Sequence, residues 1–268
     1  MPSLPLLRGC LRLCLALGLL CTSAWPAVAG PVLDRVLREK SLRVCIWADY
    51  YGITYLNART GRFSGLDIDM AEQLASDLGV GLHYVDSSFP RLIGDLSDDL
   101  CDIAMFAVAR TPQRMERLQF SDPYLQGGIY AITRRDSPVK TWQDIDKPGV
   151  RAGVLGGTFV ETAMAGRLTQ ARAVIVGPPT TNERELQAGR LDVFFTDYPY
   201  SHRLITREDW PVLLTPPAPL AVQLYAYAMK QGDPAWRDRV NVFVAAAKRD
   251  GRLLQAARQQ GLESILVP

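Results

Sequence analysis

Cysteine and histidine are scarce in this chain, with five and two copies in 268 residues. Cys10, Cys14 and Cys21 lie close to the amino terminus, which leaves Cys45 and Cys101 for the body of the protein. Two cysteines cannot build the disulfide framework of a small secreted domain. Cys45 falls within one expected strand and Cys101 at the foot of another, an offset beyond the reach of a disulfide even between neighbours, so two buried thiols are expected. His83 in an expected strand and His202 in an expected helix have no third ligand at metal spacing, so neither a metal nor a cofactor is expected. An excess of one charge is also missing, with 30 Lys and Arg against 28 Asp and Glu. No basic run is interleaved with aromatics, which excludes a nucleic-acid footprint. Phosphate loops and nucleophile elbows are absent too. Beyond residue 30, no stretch stays apolar for the roughly 20 residues that a bilayer crossing needs.

The amino terminus does carry a pattern. Arg8 and Arg12 precede the apolar run Leu13–Leu20, and Ala27-Val28-Ala29 presents small residues before Gly30. That order predicts a cleavable export signal over residues 1–29. The apolar run is short for a membrane anchor. Cys21 follows Leu20, where a lipid-attachment box needs a small residue, so lipidation is the weaker alternative. Removing residues 1–29 takes away two basic residues and no acid, leaving the two signs equal in number. A small polar molecule is the natural partner of such a balanced exported chain.

The remaining length suits two small cores better than one. The hydrophobic pattern is α/β. Leu42–Trp47 reads as a buried strand, and Met70, Leu74 and Leu78 share one face of a helix closed by Gly79. Residues 80–84 and 102–106 read as further strands, with a short helix around Leu92 to Leu96 between them, the alternation of parallel βαβ units. The same order restarts after residue 134. Val150–Leu155 is a strand, Gly156-Gly157 a turn and Thr158 the start of a helix, followed by a strand over 172–176. Thr180-Thr181-Asn182-Glu183 has the spacing of a capping box for a helix ended by Gly189, and Leu191–Thr196 is another strand. A strand over 222–229 and a helix opened by Pro234 complete the chain. Two lobes follow, one from residues 30–133 plus 222–268 and one from residues 134–221, each an open, mostly parallel sheet flanked by helices. Crossings near Tyr130–Arg134 and Ala221–Ala226 would form a hinge.

In open α/β sheets ligands lie beyond the carboxyl ends of the strands, beside helix amino termini. The loops to examine are therefore 47–55, 106–114, 156–161 and 196–200. Gly65-Leu66-Asp67-Ile68-Asp69-Met70, Cys101-Asp102-Ile103-Ala104-Met105, and Thr111-Pro112-Gln113-Arg114 before Phe120-Ser121-Asp122-Pro123-Tyr124 resemble the family 3 bacterial extracellular solute-binding proteins. Gly157-Thr158-Phe159-Val160-Glu161, Gly189-Arg190-Leu191-Asp192 and Thr196-Asp197 continue the resemblance through almost the whole chain. It implies a type II periplasmic-binding-protein-like fold in the periplasm, a monomer that closes on a small amino-acid-like ligand and serves an inner-membrane ABC permease.

The resemblance also assigns roles. Arg114 falls where the family pairs a guanidinium with the ligand α-carboxylate, and its planar fork suits that task as Lys would not. Thr158 and the N–H groups of Gly157 and Thr158 would make the second carboxylate contact, although Thr158 also suits a helix cap. Asp197 would receive the ligand ammonium, or cap the next helix. Tyr50 and Phe89 match rings that sandwich the ligand, and Ala107 completes the contact set. Tyr51, Tyr55, Phe106 and Tyr198 are further candidates for the pocket wall. Two positions depart from the pattern: Ala109 stands where a Ser or Thr hydroxyl is common, and Trp47 where several amino-acid binders carry an acid.

Residues Leu42 to Leu125 also resemble the periplasmic cyclohexadienyl dehydratases. Those enzymes are thought to place a general-acid Glu two residues after the Thr of the Gly-Gly-Thr turn, and here that position is Val160. Glu161 stands one residue later, rotated by about 100° on a helix. No catalytic residue is assigned, and a binder is expected rather than an enzyme. The further alternatives are a sensor, which lacks a signalling domain here, and an accessory binding protein of a quinoprotein dehydrogenase, whose usual Asp-Pro-Asn-Asn-like loop is replaced by Trp47-Ala48-Asp49-Tyr50.

Overall fold

A computed structural model describes residues 30–268, so the expected export signal lies outside the described residues. Helix α1 (Pro31–Glu39) leads into β1 (Ser41–Ile46), whose Leu42, Val44, Cys45 and Ile46 are all buried. Burial on both faces is what a central parallel strand requires. A small antiparallel sheet of β2 (Asp49–Tyr50), β3 (Thr54–Asn57) and β4 (Arg62–Ser64) follows, an element with no counterpart in the sequence reading. Next come α2 (Leu66–Leu78), β5 (Gly81–Asp86), α3 (Leu92–Ser97), β6 (Ile103–Ala109), the single turn α4 (Pro112–Met115), β7 (Leu118–Phe120) and β8 (Leu125–Gly127). On α2 the residues at helical spacing, Leu66, Met70, Ala71, Leu74 and Ala75, are buried, and Gly79 closes the helix in the left-handed conformation.

The second lobe starts at β9 (Ile129–Arg134) and continues through β10 (Arg151–Leu155), α5 (Phe159–Met164), β11 (Arg172–Val176), α6 (Asn182–Gln187), β12 (Val193–Asp197), α7 (Tyr198–Arg207) and β13 (Pro211–Leu214). The chain then returns through β14 (Gln223–Lys230), α8 (Pro234–Arg249) and α9 (Arg252–Gln260).

The first sheet has the order β5-β1-β6-β14-β7, with β8 also on β14, and the second the order β11-β10-β12-β9-β13. In each, three parallel strands are extended by antiparallel partners. All of β9 pairs within the second sheet, so the first crossing lies at Gly128 and not at residue 134. There Ile129 N–H donates to Leu220 O at 2.9 Å, which sets the two crossings side by side. A Cβ on Gly128 would come within 2.9 Å of the same carbonyl oxygen, which is why glycine stands there.

The internal repetition has a structural basis. Asp102, ahead of β6, accepts hydrogen bonds from Arg43 N at 2.7 Å and Arg43 Nη2 at 2.8 Å. Asp192, ahead of β12, does the same with Arg151 N at 2.9 Å and Arg151 Nη2 at 2.7 Å. In both lobes an acid before the third parallel strand thus locks onto the first.

The expectation of two free thiols is overturned. Cys45 and Cys101 form a disulfide with their Cα atoms 5.6 Å apart. Val44 pairs with Ile103, and Cys101 precedes that pair by only two residues. The offset argument failed because the segment entering β6 does not continue the strand direction, so the separation along straight strands exceeds the real gap.

Candidate functional site

In each lobe the strand order reverses beside the first parallel strand: β1 lies between β5 and β6, and β10 between β11 and β12. The loops after β1 and β6 therefore diverge from one crevice, and those after β10 and β12 from another. The two crevices face each other. The resulting cleft is bounded by Trp47, Tyr50, Phe89 and Ala107 of the first lobe and by Thr158, Val160, Glu183, Asp197 and Tyr200 of the second.

Arg114 is 7% exposed. It lies on α4, whose cap Thr111 accepts from Arg114 N at 3.3 Å, so the turn fixes the start of its side chain. Its guanidinium donates to Ala109 O at 3.1 Å and, across the cleft, to Gly157 O at 3.1 Å. Its terminal carbon stands 5.4 Å from the centre of the Phe89 ring. Among the described residues no carboxylate forms an ion pair with it, and burial lowers its pKa to about 10. The site thus holds a desolvated cation whose hydrogen bonds go only to neutral carbonyls.

Asp197 caps α7, accepting from Tyr200 N at 3.2 Å, and it faces the cleft. The Tyr50 hydroxyl of the opposite lobe also donates to it, as does Tyr225 at 3.0 Å. Burial raises its pKa, against the effect of these donors.

Thr158 is the cap of α5, accepting from Glu161 N at 3.4 Å and donating to Leu155 O at 2.7 Å. The expected pair of amides is not equally free, because Glu161 Oε2 accepts from Gly157 N at 2.6 Å. Gly157 has φ +74°, and a Cβ there would come 2.7 Å from Pro90 Cγ of the other lobe, so a side chain would hold the lobes apart. Val160 is buried and lines the cleft, whereas the Glu161 carboxylate turns back to its own turn.

The aromatic residues are placed differently from the expected sandwich. Tyr50 and Phe89 both border the cleft, but their planes meet at 69° with centroids 6.0 Å apart. Rings at that angle present an edge to a face and cannot hold a flat group between two faces. The near-parallel pair is Trp47 and Tyr200, at 15° and 6.2 Å, one from each lobe. Tyr51 and Tyr55 lie outside the cleft on the small sheet, stacked 4.7 Å apart, where Arg207 of α7 stands 4.4 Å from the Tyr55 ring. Tyr198 packs on His202, and Phe106 is fully buried behind Phe89.

Two participants escaped sequence reasoning. Asp67, in the first turn of α2, accepts from Ala107 N at 2.8 Å and from the Tyr124 hydroxyl at 2.6 Å. Ala107 lines the cleft with φ +47°, a left-handed conformation that costs a non-glycine residue, so the buried carboxylate holds a strained, irregular stretch of β6 in place. Burial raises the Asp67 pKa to about 7. The second is Glu183. The cap of α6 is Thr181, accepting from Arg184 N at 3.3 Å, and Thr180 instead donates to Glu185. With the cap one residue later than the capping box required, Glu183 is released toward the cleft, where it accepts from the Tyr200 hydroxyl.

Residues 42–260 match the family described as bacterial extracellular solute-binding proteins, family 3. A cyclohexadienyl dehydratase of Pseudomonas aeruginosa is 33% identical over 227 residues, covering 83% of each chain. The L-cystine-binding protein TcyJ of Escherichia coli (strain K12) is 23% identical over 224 residues, again 83% of each. Among solved structures, an ancestral amino acid-binding protein described as a precursor of cyclohexadienyl dehydratase superposes with a TM-score of 0.78 at 28% identity, covering 85% of this chain and 98% of that one. A binding component of an ABC transporter from Wolinella succinogenes, complexed with lysine, gives 0.74 at 26% identity over 82% and 95%. With the family pattern running from β1 to the end of α9 and the two-lobed architecture matching, the chain belongs to the family 3 bacterial extracellular solute-binding proteins.

Proposed function

We propose that this protein captures a small amino acid between its lobes and, after export to the periplasm, presents it to an inner-membrane ABC permease. One observation carries the reading. Arg114 is a buried guanidinium without an anionic partner among the described residues, bonded to both lobes at once, and a ligand carboxylate is the group that would satisfy it. Asp197 lines the cleft from the other lobe and Arg114 stands against Phe89 of its wall, so a zwitterion would find an opposite charge on each side. Trp47 supplies no acid, as the family departure already indicated, and Ala109 supplies no hydroxyl. The carboxylate would then rely on Arg114 and the Thr158 amide. Relatives named for cystine and arginine support the same ligand class.

The dehydratase-like alternative is disfavoured by chemistry at two points. Val160 occupies the position of the general acid and cannot donate a proton. Prephenate is a dicarboxylate, and the cleft offers its second carboxylate Asp49, Glu183 and Asp197 with no cation beyond Arg114. Purified protein is expected to release no phenylpyruvate from prephenate above the spontaneous rate; multiple turnovers would establish an enzyme.

A thermal-shift screen against amino acids, polyamines, organic acids and prephenate tests the binding reading, since a ligand at about 100 times its Kd stabilises by roughly 2.7 kcal/mol. A hit should also reduce the radius of gyration in small-angle scattering, because contacts such as Arg114 to Gly157 exist only when the lobes close. No amino acid producing a shift would refute the proposal.

A further inference from the structure

We propose that Glu183, with Trp47 and Tyr200, forms a subsite for a flat cation of the guanidinium type at the side-chain end of the ligand. The proposal rests on the amino-acid-binding reading above and goes beyond it in naming the charge and shape of the side chain and the residue that selects them.

Three observations converge. Apart from Arg114, which stands behind Phe89 of the wall, the cleft lining among the described residues carries the carboxylates of Asp49, Glu183 and Asp197 and no Lys or Arg side chain. Arg114 and the ligand carboxylate neutralise each other, and Asp197 answers the ligand ammonium, which leaves Glu183 and Asp49 without a cation. Asp49 is exposed to water, but Glu183 is half-buried, so a neutral side chain packed on it would take a carboxylate out of water without a counter-charge, whereas a positive one would be drawn in.

Second, the buried Tyr200 hydroxyl donates to Glu183 Oε1, so the carboxylate is oriented from behind while Oε2 has no protein donor among the described residues. A carboxylate held in this way is preorganised for the parallel N–H donors of a guanidinium.

Third, the Trp47 and Tyr200 planes lie 15° apart with centroids separated by 6.2 Å. A flat group in contact with both faces needs about 7 Å, two gaps of roughly 3.5 Å. The centroid separation is less than that, so the rings would have to part to admit it, and a cation would also gain from the ring faces. Where related binders carry an acid at position 47 this chain has an indole, and the missing charge comes from Glu183 in the opposite lobe. The subsite is therefore complete only when the lobes close.

Calorimetry with arginine, its neutral and equally flat isostere citrulline, and lysine tests this on the wild type, Glu183→Gln and Trp47→Ala. Arginine should bind at least about 10-fold more tightly than citrulline and more tightly than lysine. Glu183→Gln should abolish the arginine-over-citrulline preference while citrulline affinity stays within about 3-fold, and Trp47→Ala should weaken both flat ligands. Equal arginine and citrulline affinity in the wild type, or an unchanged preference in Glu183→Gln, overturns the subsite and leaves the amino-acid reading standing. Lysine binding as tightly as arginine overturns the flat-cation assignment. Failure of every amino acid to bind refutes the underlying reading and the subsite with it.

Discussion

Replacing Arg114 with Met should separate stability from binding. At about 1.4 kcal/mol per pH unit, the fall of its pKa from 12.5 to about 10 means that holding the charge in its buried place costs about 3 kcal/mol. Met removes that cost and keeps most of the volume. It also takes one donor from the Ala109 carbonyl, which keeps Thr111 N–H at 3.0 Å, and one from the carbonyl of exposed Gly157, at about 1 to 1.5 kcal/mol for each hydrogen bond lost. The two effects nearly offset, so the unliganded melting temperature should move by only a few degrees. Binding has no such compensation, and losing one member of a buried charge pair costs about 2 to 5 kcal/mol, or roughly 30- to 4,000-fold in Kd. At a ligand concentration 100 times the wild-type Kd, the wild type gains about 2.7 kcal/mol, roughly 5 to 10 °C for a chain of this size. The variant should gain less than about 0.9 kcal/mol at that concentration. Scanning calorimetry with and without ligand reads both quantities. An unliganded protein that unfolds far below the wild type, combined with an undiminished ligand shift, would refute the reasoning by making Arg114 a structural residue.

Three other outcomes are expected. Reducing the Cys45–Cys101 disulfide, which closes a loop of sequence separation 56, should destabilise the protein by about 4 kcal/mol, and an unchanged melting temperature under reductant would show that the bond contributes little. The folded pKa of Asp67, raised to about 7, lies above its ordinary 3.8, so its stabilising contribution is fully present below about pH 3.8 and lost as pH rises through about 7. Asp67→Asn should flatten that slope, worth up to about 4 kcal/mol, and denaturant titrations with the same pH dependence in both proteins would exclude Asp67 as its source. Arg207→Ala removes the cation that joins α7 to the Tyr51 and Tyr55 rings of the other lobe, about 0.5 to 1 kcal/mol for an exposed pair. Ligand dissociation should accelerate about 2- to 5-fold, and an unchanged rate in stopped-flow would show that the contact does not hold the lobes closed.

Periodicity pointed to β1, β5, β6, β10, β11, β12, β14, α2 and α8, because elements such as β1, β6, α2 and α8 bury residues at the spacing their geometry demands. Helices α1 and α9 and strands β7, β8 and β13 had no counterpart in it. The roles expected of Arg114, Thr158 and Asp197 came from the family resemblance, while the loops that hold these residues were legible because strands end and helices begin there. The small sheet β2–β4 was not, since its strands are two to four residues long and carry no periodic signal. Nor was the disulfide, because Cys101 lies ahead of β6 beside a bend at Asp102, and an offset counted along straight strands does not describe that approach.

The sequence by itself determined the two α/β lobes, the charge-balanced character of the chain and the residues at the loop tips, all of which follow from neighbours along the chain. Only the tertiary structure decided which groups meet across the cleft. Trp47 with Tyr200, Arg114 with the Gly157 carbonyl, and Tyr50 with Asp197 each join residues from different lobes. Glu183 illustrates the boundary. Its spacing after Thr180 is equally compatible with a capping box and with a free carboxylate, and the choice fell to Thr181 as the actual cap and to a tyrosine hydroxyl from α7. Local spacing fixes which groups a helix end presents, but the direction in which they point depends on distant partners, whose contribution the chain encodes only through the packing of the whole.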